Sequence, residues 1–166
     1  MKKLEFISSK ILDREELRRA CALWNFKGMK VVFTNGCFDI LHLGHIEYLA
    51  KAANLGDVLV IGINTDQSVH RIKGESRPIN DEHSRSMVVA SLGFVTAVVL
   101  FDEETPYELI KTIQPDILVK GRDYKPKDIV GNDIVLAKGG KVKTIDLTPG
   151  YSTSAIVQKI LDLHQY

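Results

Sequence analysis

A chain of 166 residues, 45% hydrophobic and 26% charged, is long enough to bury one core without disulfides, and a formal net charge of +1 gives no broad attraction to nucleic acid or to a membrane surface. Its two cysteines, Cys21 and Cys37, lack CxxC spacing, which excludes a disulfide framework and fits a reducing compartment. No apolar run is long enough to span a membrane and the N-terminal stretch is too broken for a secretory segment, so the expectation is a cytoplasmic protein.

Residues 1–27 read as a helical extension and residues 28–166 as one domain. The spacing predicts a helix over 13–26, with Asp13 as its N-cap, Glu16 as capping-box partner, and Leu17, Cys21 and Trp24 on one face. That helix is expected to pack on the domain, with a subunit contact as the alternative. A short apolar run from Lys30 to Gly36 ends in Asn35-Gly36 and reads as a buried strand with a breaker at its carboxyl end. A helix over 44–54 follows, with Ile46, Leu49, Ala50 and Ala53 inward and Gly56 as its stop. Strands are expected at 57–63, 94–101, 116–120 and 141–145. Helices are expected at 82–92, 105–113, 127–138 (the weakest) and 152–163, with Met87, Val88, Ser91 and Leu92 facing inward on the first of these. Strand and helix alternate from residue 30 onward, which predicts a Rossmann-like α/β fold. Its five-stranded parallel sheet carries helices on both faces.

In such folds ligands bind beyond the carboxyl ends of the strands. The first such end is Asn35–His45, and it carries His42 and His45, two of only five histidines. Residues three apart around a helix start share a face, Gly44 between them admits close approach to the backbone, and the free amides of a helix start favour an anion. An imidazole there can hydrogen-bond phosphate oxygens, and its cation would offset charge that grows as a bond breaks. The pair therefore suits phosphoryl or nucleotidyl transfer. Helix capping, a metal site shared with Asp39 or Cys37, and simple surface placement are the other readings of the same residues.

The stretch Gly36-Cys-Phe38-Asp39-Ile-Leu-His42-Leu-Gly44-His45 resembles the GxFDxxHxGH element of the nucleotidyltransferase superfamily. "LGDVLVIGINTDQSV" from Leu55, "KGESRPIN" from Lys73, "LVKGRDY" from Leu118 and "GYSTSAIVQKI" from Gly150 resemble the adenylyltransferase part of the heptose kinase/adenylyltransferase family. The resemblance covers roughly residues 28–161 and implies the nucleotidyltransferase fold. With no sugar-kinase stretch in view, it implies a free-standing adenylyltransferase that joins ATP and D-glycero-β-D-manno-heptose 1-phosphate into ADP-heptose and pyrophosphate, with Mg2+ carried by the triphosphate.

By that resemblance His42, His45 and Arg85 are catalytic. Asn35, Gly36, Phe38, Asp39, Gly44, Lys73, Lys120, Gly121, Asp123, Ser152, Thr153 and Ser154 contact or shape the nucleotide site. Arg77, Arg122 and Tyr124 contact the sugar phosphate, although Arg122 stands where many relatives have glycine. Cys37 reads as packing. The resemblance also implies a homodimer that binds only small molecules. A cytidylyltransferase acting on glycerol 3-phosphate is the alternative within enzymes, and a catalytically silent nucleotide-binding regulator is the alternative outside them.

Overall fold

A computed structural model describes residues 2–122 and 125–163. Strands β1 (Val31–Gly36), β2 (Val58–Asn64), β3 (Ala97–Phe101), β4 (Ile117–Gly121) and β5 (Lys141–Ile145) form one parallel sheet in the order β3-β2-β1-β4-β5. Val31 pairs with Val58 and Val32 with Ile117, so β1 lies at the centre. Its first residues are anchored from both sides. The Asp57 carboxylate accepts the Lys30 amide at 2.8 Å, and the Asp116 carboxylate accepts the Val31 amide at 2.8 Å.

Alternating side chains of each strand enter two separate cores, which is why the strands read as unbroken apolar runs. Phe33, Val60, Val99 and Leu118 pack toward helices α2 (Arg14–Phe26), α6 (Tyr107–Ile113) and α7 (Asn132–Ala137). Val32, Ile61, Val98 and Val119 pack toward α3 (Leu43–Ala53), α5 (Glu82–Ala90) and the short α1 (Lys3–Ser8). The remaining helices are α4 (Asp66–Lys73) and α8 (Thr153–Leu163). Among the described residues no helix is long and apolar enough to cross a membrane.

The α2 capping box forms as expected, with the Asp13 side chain accepting the Glu16 amide and Glu16 reaching back to Asp13. Leu17 and Cys21 are buried beneath it, and Trp24 packs at the margin of the same core. Two helices escaped the sequence reading. α1 is only six residues long, and α4 has only eight, of which Val69 and Ile72 alone are apolar. The expected helix over 127–138 is instead a 3₁₀ turn at Pro126–Asp128 followed by α7.

The inward faces of two helices also need correction. On α3 the buried residues are Gly44, Tyr48, Leu49 and Ala52; of the expected face Leu49 is buried and Ala53 packs at the margin of the core, while Ile46 and Ala50 are only half-buried. On α5 they are Arg85, Ser86, Val89 and Ala90, while Val88 is half exposed and Ser91 faces out. The α5 error has a definite cause: a buried arginine belongs to the inward face, and apolar periodicity assigns it outward.

Gly56 does more than end α3. A β-carbon there would lie 2.6 Å from the Lys30 carbonyl oxygen and 2.7 Å from a Val32 methyl. Gly56→Ala is expected to displace the entry to β1 and cost about 1–3 kcal/mol of stability, measured as a lowered denaturation midpoint. An unchanged midpoint would show that β1 does not depend on this approach.

Candidate active site

The sheet order reverses between β1 and β4, so the crevice at their carboxyl ends is where a ligand is expected. α3 is drawn to that edge by a 2.7 Å hydrogen bond between the Thr34 and Tyr48 hydroxyl groups, both buried. His42 is the residue before the first turn of α3, and the His45 amide donates to its carbonyl at 2.9 Å. Neither histidine caps the helix with its side chain. The two rings stack instead, with centroids 3.8 Å apart and planes 23° from parallel, and the Phe38 ring meets His45 edge-on at 5.4 Å. Gly44 makes this fit possible, because a β-carbon would stand 3.2 Å from the His42 ring and 3.3 Å from the β-carbon of Tyr151.

The Nδ1 atoms of His42 and His45 are both buried without a protein partner. Burial, then His42, then Lys73 push the His45 pKa down to about 4, with the Ile40 backbone carbonyl opposing. Burial also lowers His42. Without ligand the pair is therefore neutral near pH 7, where the sequence reading relied on an imidazolium. Two stacked imidazoles discourage each other's protonation, and a bound polyanion would reverse that bias.

A second layer of polar residues fixes the turn that carries this pair. Phe38 has φ of +48°, a left-handed conformation costing a non-glycine residue about 1–3 kcal/mol. On one side of it the buried Asp39 carboxylate accepts the amides of Ile79 (2.8 Å) and Asn80 (2.9 Å) and pairs with Arg77 Nη2 at 2.6 Å. Burial alone would raise this carboxyl, but the Asn80 and Ile79 amides and the Arg77 guanidinium outweigh it and hold it below the usual carboxylate range. On the other side Arg85, only 1% exposed, donates from Nη1 to the Cys37 carbonyl at 2.6 Å, from Nη2 to Asp66 at 2.6 Å and from Nε to the Asn80 carbonyl at 3.0 Å.

These placements correct the sequence expectations for two arginines. Arg85 does not line the cleft. It lies behind the turn, with all three guanidinium nitrogens engaged by the protein. Arg77 is likewise held by Asp39 rather than presented to a substrate.

The cleft has a volume of about 660 Å³, a size suited to a nucleotide-sized ligand. Asn35, Gly36, Phe38, Gly44 and both histidines line it near β1, Lys73 enters from the end of α4, and Lys120 and Gly121 line it at the end of β4. Ser152, Thr153 and Ser154 line it at the start of α8, beside the histidine turn. Ser152 caps α8 by accepting the Ala155 amide at 3.1 Å, and Thr153 donates to the Ile40 carbonyl at 3.4 Å, which ties the α8 start to the histidine turn. Asp39 lies beneath this surface rather than on it.

Arg122 is outside the cleft. It forms an exposed ion pair with Asp146 at 2.7 Å. Asp123 and Tyr124 lie outside the described residues. Cys37 does line the cleft, and burial pushes its thiol pKa up, which argues against a reactive thiolate. Among the described residues no group of three or more His, Cys, Asp or Glu side chains could hold a metal, and Asp39 is turned away from the histidines onto Arg77.

The sequence reading missed Asn64, Phe101, Glu104 and Tyr151, which also line the cleft. The first two belong to apolar strands. Their position at strand ends was the available signal.

Residues 33–159 match the sequence model of the cytidylyltransferase-like family. The chain is 52% identical over 157 residues to the bifunctional protein HldE of Syntrophotalea carbinolica, covering 95% of this chain and 32% of that protein. It is 56% identical over 153 residues to the protein of the same name from Campylobacter jejuni subsp. doylei, covering 92% and 32%. The chain thus spans about a third of the length of these relatives. Among solved structures, the lipopolysaccharide core biosynthesis protein of Thermoplasma volcanium is 34% identical with a TM-score of 0.60, covering 73% of this chain and 98% of that one. Pantoate-beta-alanine ligase from Francisella tularensis shares the fold at 19% identity, with a TM-score of 0.59 over 94% of this chain and 79% of the ligase.

Two outcomes are expected from this geometry. His45 should titrate with a midpoint near 4 in the ligand-free protein, read by NMR of its ring, and the midpoint should rise when a triphosphate binds. Because the unfolded chain takes up this proton near pH 6.5, the His45 contribution to stability is complete above that pH and is lost as pH falls toward 4. A free-protein midpoint at the ordinary 6.5 would contradict the burial account. Arg85→Met should lower stability by about 3 kcal/mol, since it strands the Cys37 and Asn80 carbonyls and the Asp66 charge. A variant as stable as the parent would show that the turn does not need this cation.

Proposed function

The chain belongs to the cytidylyltransferase-like family, and from that premise we propose that it transfers AMP from ATP to D-glycero-β-D-manno-heptose 1-phosphate, giving ADP-heptose and pyrophosphate. The observation that carries this reading is the stacked pair of His42 and His45, half-buried and with no hydrogen-bond partner for either Nδ1, lining one cleft together with the start of α8. The choice of an adenylyl donor and a heptose acceptor is supported by the motif resemblance and by the identity to proteins named HldE.

In the proposed reaction a phosphate oxygen of the sugar phosphate attacks the α-phosphorus of ATP. The bond from that phosphorus to the bridging oxygen breaks, and pyrophosphate departs with the electron pair. No covalent enzyme intermediate is required, so the protein's work is alignment and charge stabilisation. His42 and His45 would donate ring N–H groups to the phosphate oxygens. As negative charge grows toward the leaving group, their depressed pKa values would rise and strengthen those bonds. Lys73, which makes no ion pair among the described residues, and Lys120 would supply fixed positive charge from two sides. The α8 start would offer backbone amides and the Thr153 and Ser154 hydroxyls.

The group that the family reading adds is Mg2+. Among the described residues no group of three or more His, Cys, Asp or Glu side chains could hold it, and in this reading the ion arrives with the triphosphate as MgATP. It would neutralise part of the triphosphate charge. The reading also includes a cytoplasmic homodimer. Exposed Leu23 and Phe26 on α2 support a subunit contact through that helix.

Pyrophosphate release should appear with ATP and heptose 1-phosphate, and at most weakly when CTP replaces ATP or glycerol 3-phosphate replaces the sugar. Preference for CTP with glycerol 3-phosphate would overturn the assignment. Silence with every pair would favour a nucleotide-binding regulator. His45→Ala should lower turnover by roughly 10²–10³ while leaving the fold intact, the size of losing one transition-state donor. Unchanged turnover would remove His45 from the mechanism.

A further inference from the structure

The cleft has two chemically different halves. On the β4–β5 side stand Lys120, Leu147, Tyr151 and the α8 start, which together suit a flat base and a string of phosphates. On the β2–β3 side stand Asn35, Asn64, Phe101, Glu104, Thr105 and Pro106. The first three are brought to one face of the sheet by strand periodicity. Asn35 follows Phe33, Asn64 pairs in register with Phe101, and Phe33 and Phe101 share the core under α6. Gly62 keeps that face open, since a β-carbon there would meet Phe33, Asn35 and Leu109 at 3.1–3.2 Å.

The polar groups of this second half are mainly acceptors. Asn35 Oδ1 is buried without a partner. Asn64 donates from Nδ2 to Ser68, and its Oδ1 receives only the weak Cys37 thiol contact at 3.8 Å. Glu104 has no hydrogen bond or ion pair among the described residues, although its neighbour Glu103 is paired with Arg14. Lys73 acts on both His45 and Cys37, and Cys37 touches Asn64, so this cation stands at the border between the histidines and this half. The unpaired Glu104 carboxylate and the orphaned Asn35 amide oxygen repel phosphate and call for hydroxyl donors.

We propose that Glu104 is a specificity-determining residue for the acceptor. Its carboxylate receives hydrogen bonds from the hydroxyl groups of the sugar, whose ring rests on Phe101 and Pro106 while its phosphate reaches Lys73 and the histidines. Asn35 receives a further hydroxyl at the floor of the same half. This inference rests on the adenylyltransferase reading and adds the half of the cleft and the side chain that select a polyhydroxylated acceptor over a smaller phospho-alcohol.

The test is steady-state kinetics of the full chain and its Glu104→Ala and Glu104→Gln variants, with ATP and heptose 1-phosphate varied separately. Glu104 is exposed, so both variants should fold with the parent's denaturation midpoint. Glu104→Ala should raise the KM for the sugar phosphate about 10- to 100-fold, the range expected for losing a hydrogen bond to a charged group, while the KM for ATP stays within about twofold. Glu104→Gln, which keeps an acceptor oxygen, should recover part of the loss. An unaltered sugar-phosphate KM in Glu104→Ala, or equal increases in both KM values, overturns the Glu104 proposal and leaves the adenylyltransferase reading standing. Absence of pyrophosphate release by the unmutated chain overturns that reading itself, and the Glu104 proposal with it.

Discussion

A buried guanidinium gripping a backbone carbonyl is the constraint on which the site depends. Arg85 holds the Cys37 oxygen at 2.6 Å from behind, while Asp39, one residue beyond Phe38, is clamped by two amides and Arg77. Between these anchors Phe38 takes a left-handed conformation that the chain would otherwise avoid. That turn sets where α3 begins, and with it where His42 and His45 point. An arginine fully out of water is costly unless each nitrogen finds a partner. Here Asp66, Asn80 and Cys37 supply them, so a cost in solvation becomes rigidity at the cleft.

Rigidity matters because of the chemistry proposed. Reorganising dipoles during a reaction wastes their stabilising power, whereas donors already aimed at the developing charge act at once. The imidazoles are stacked and half-buried, His45 is edge-packed by Phe38, and burial favours their neutral forms until an anion arrives. The histidine pair itself carries little charge before phosphate binds, and the fixed charge beside it comes from Lys73 and Lys120. The α8 start, tied to the histidine turn through Thr153 and the Ile40 carbonyl, lines the cleft beside it.

The parallel sheet was legible because each central strand is apolar on both faces, and the site's location followed from the first strand's end. The histidines were legible through spacing and position. The second layer was not. Arg77 and Arg85 look like solvated or phosphate-facing charges in a linear reading, since nothing local shows that Asp39 and Asp66 will meet them across 38 and 19 residues. The same blindness misassigned the inward face of α5. Asn35 was recognised from its place at a strand end. Asn64 and Glu104 were missed because a cleft formed by four strand ends has no counterpart in consecutive residues.

The most direct test of the central claim is an experimental structure with a non-hydrolysable ATP analogue. The account predicts phosphates between the His42–His45 pair and the α8 start, with ring nitrogens of both histidines within hydrogen-bond distance of phosphate oxygens and Arg85 still on the Cys37 carbonyl. Phosphates seated away from the histidines, or Arg85 released from the turn to bind them directly, would contradict it.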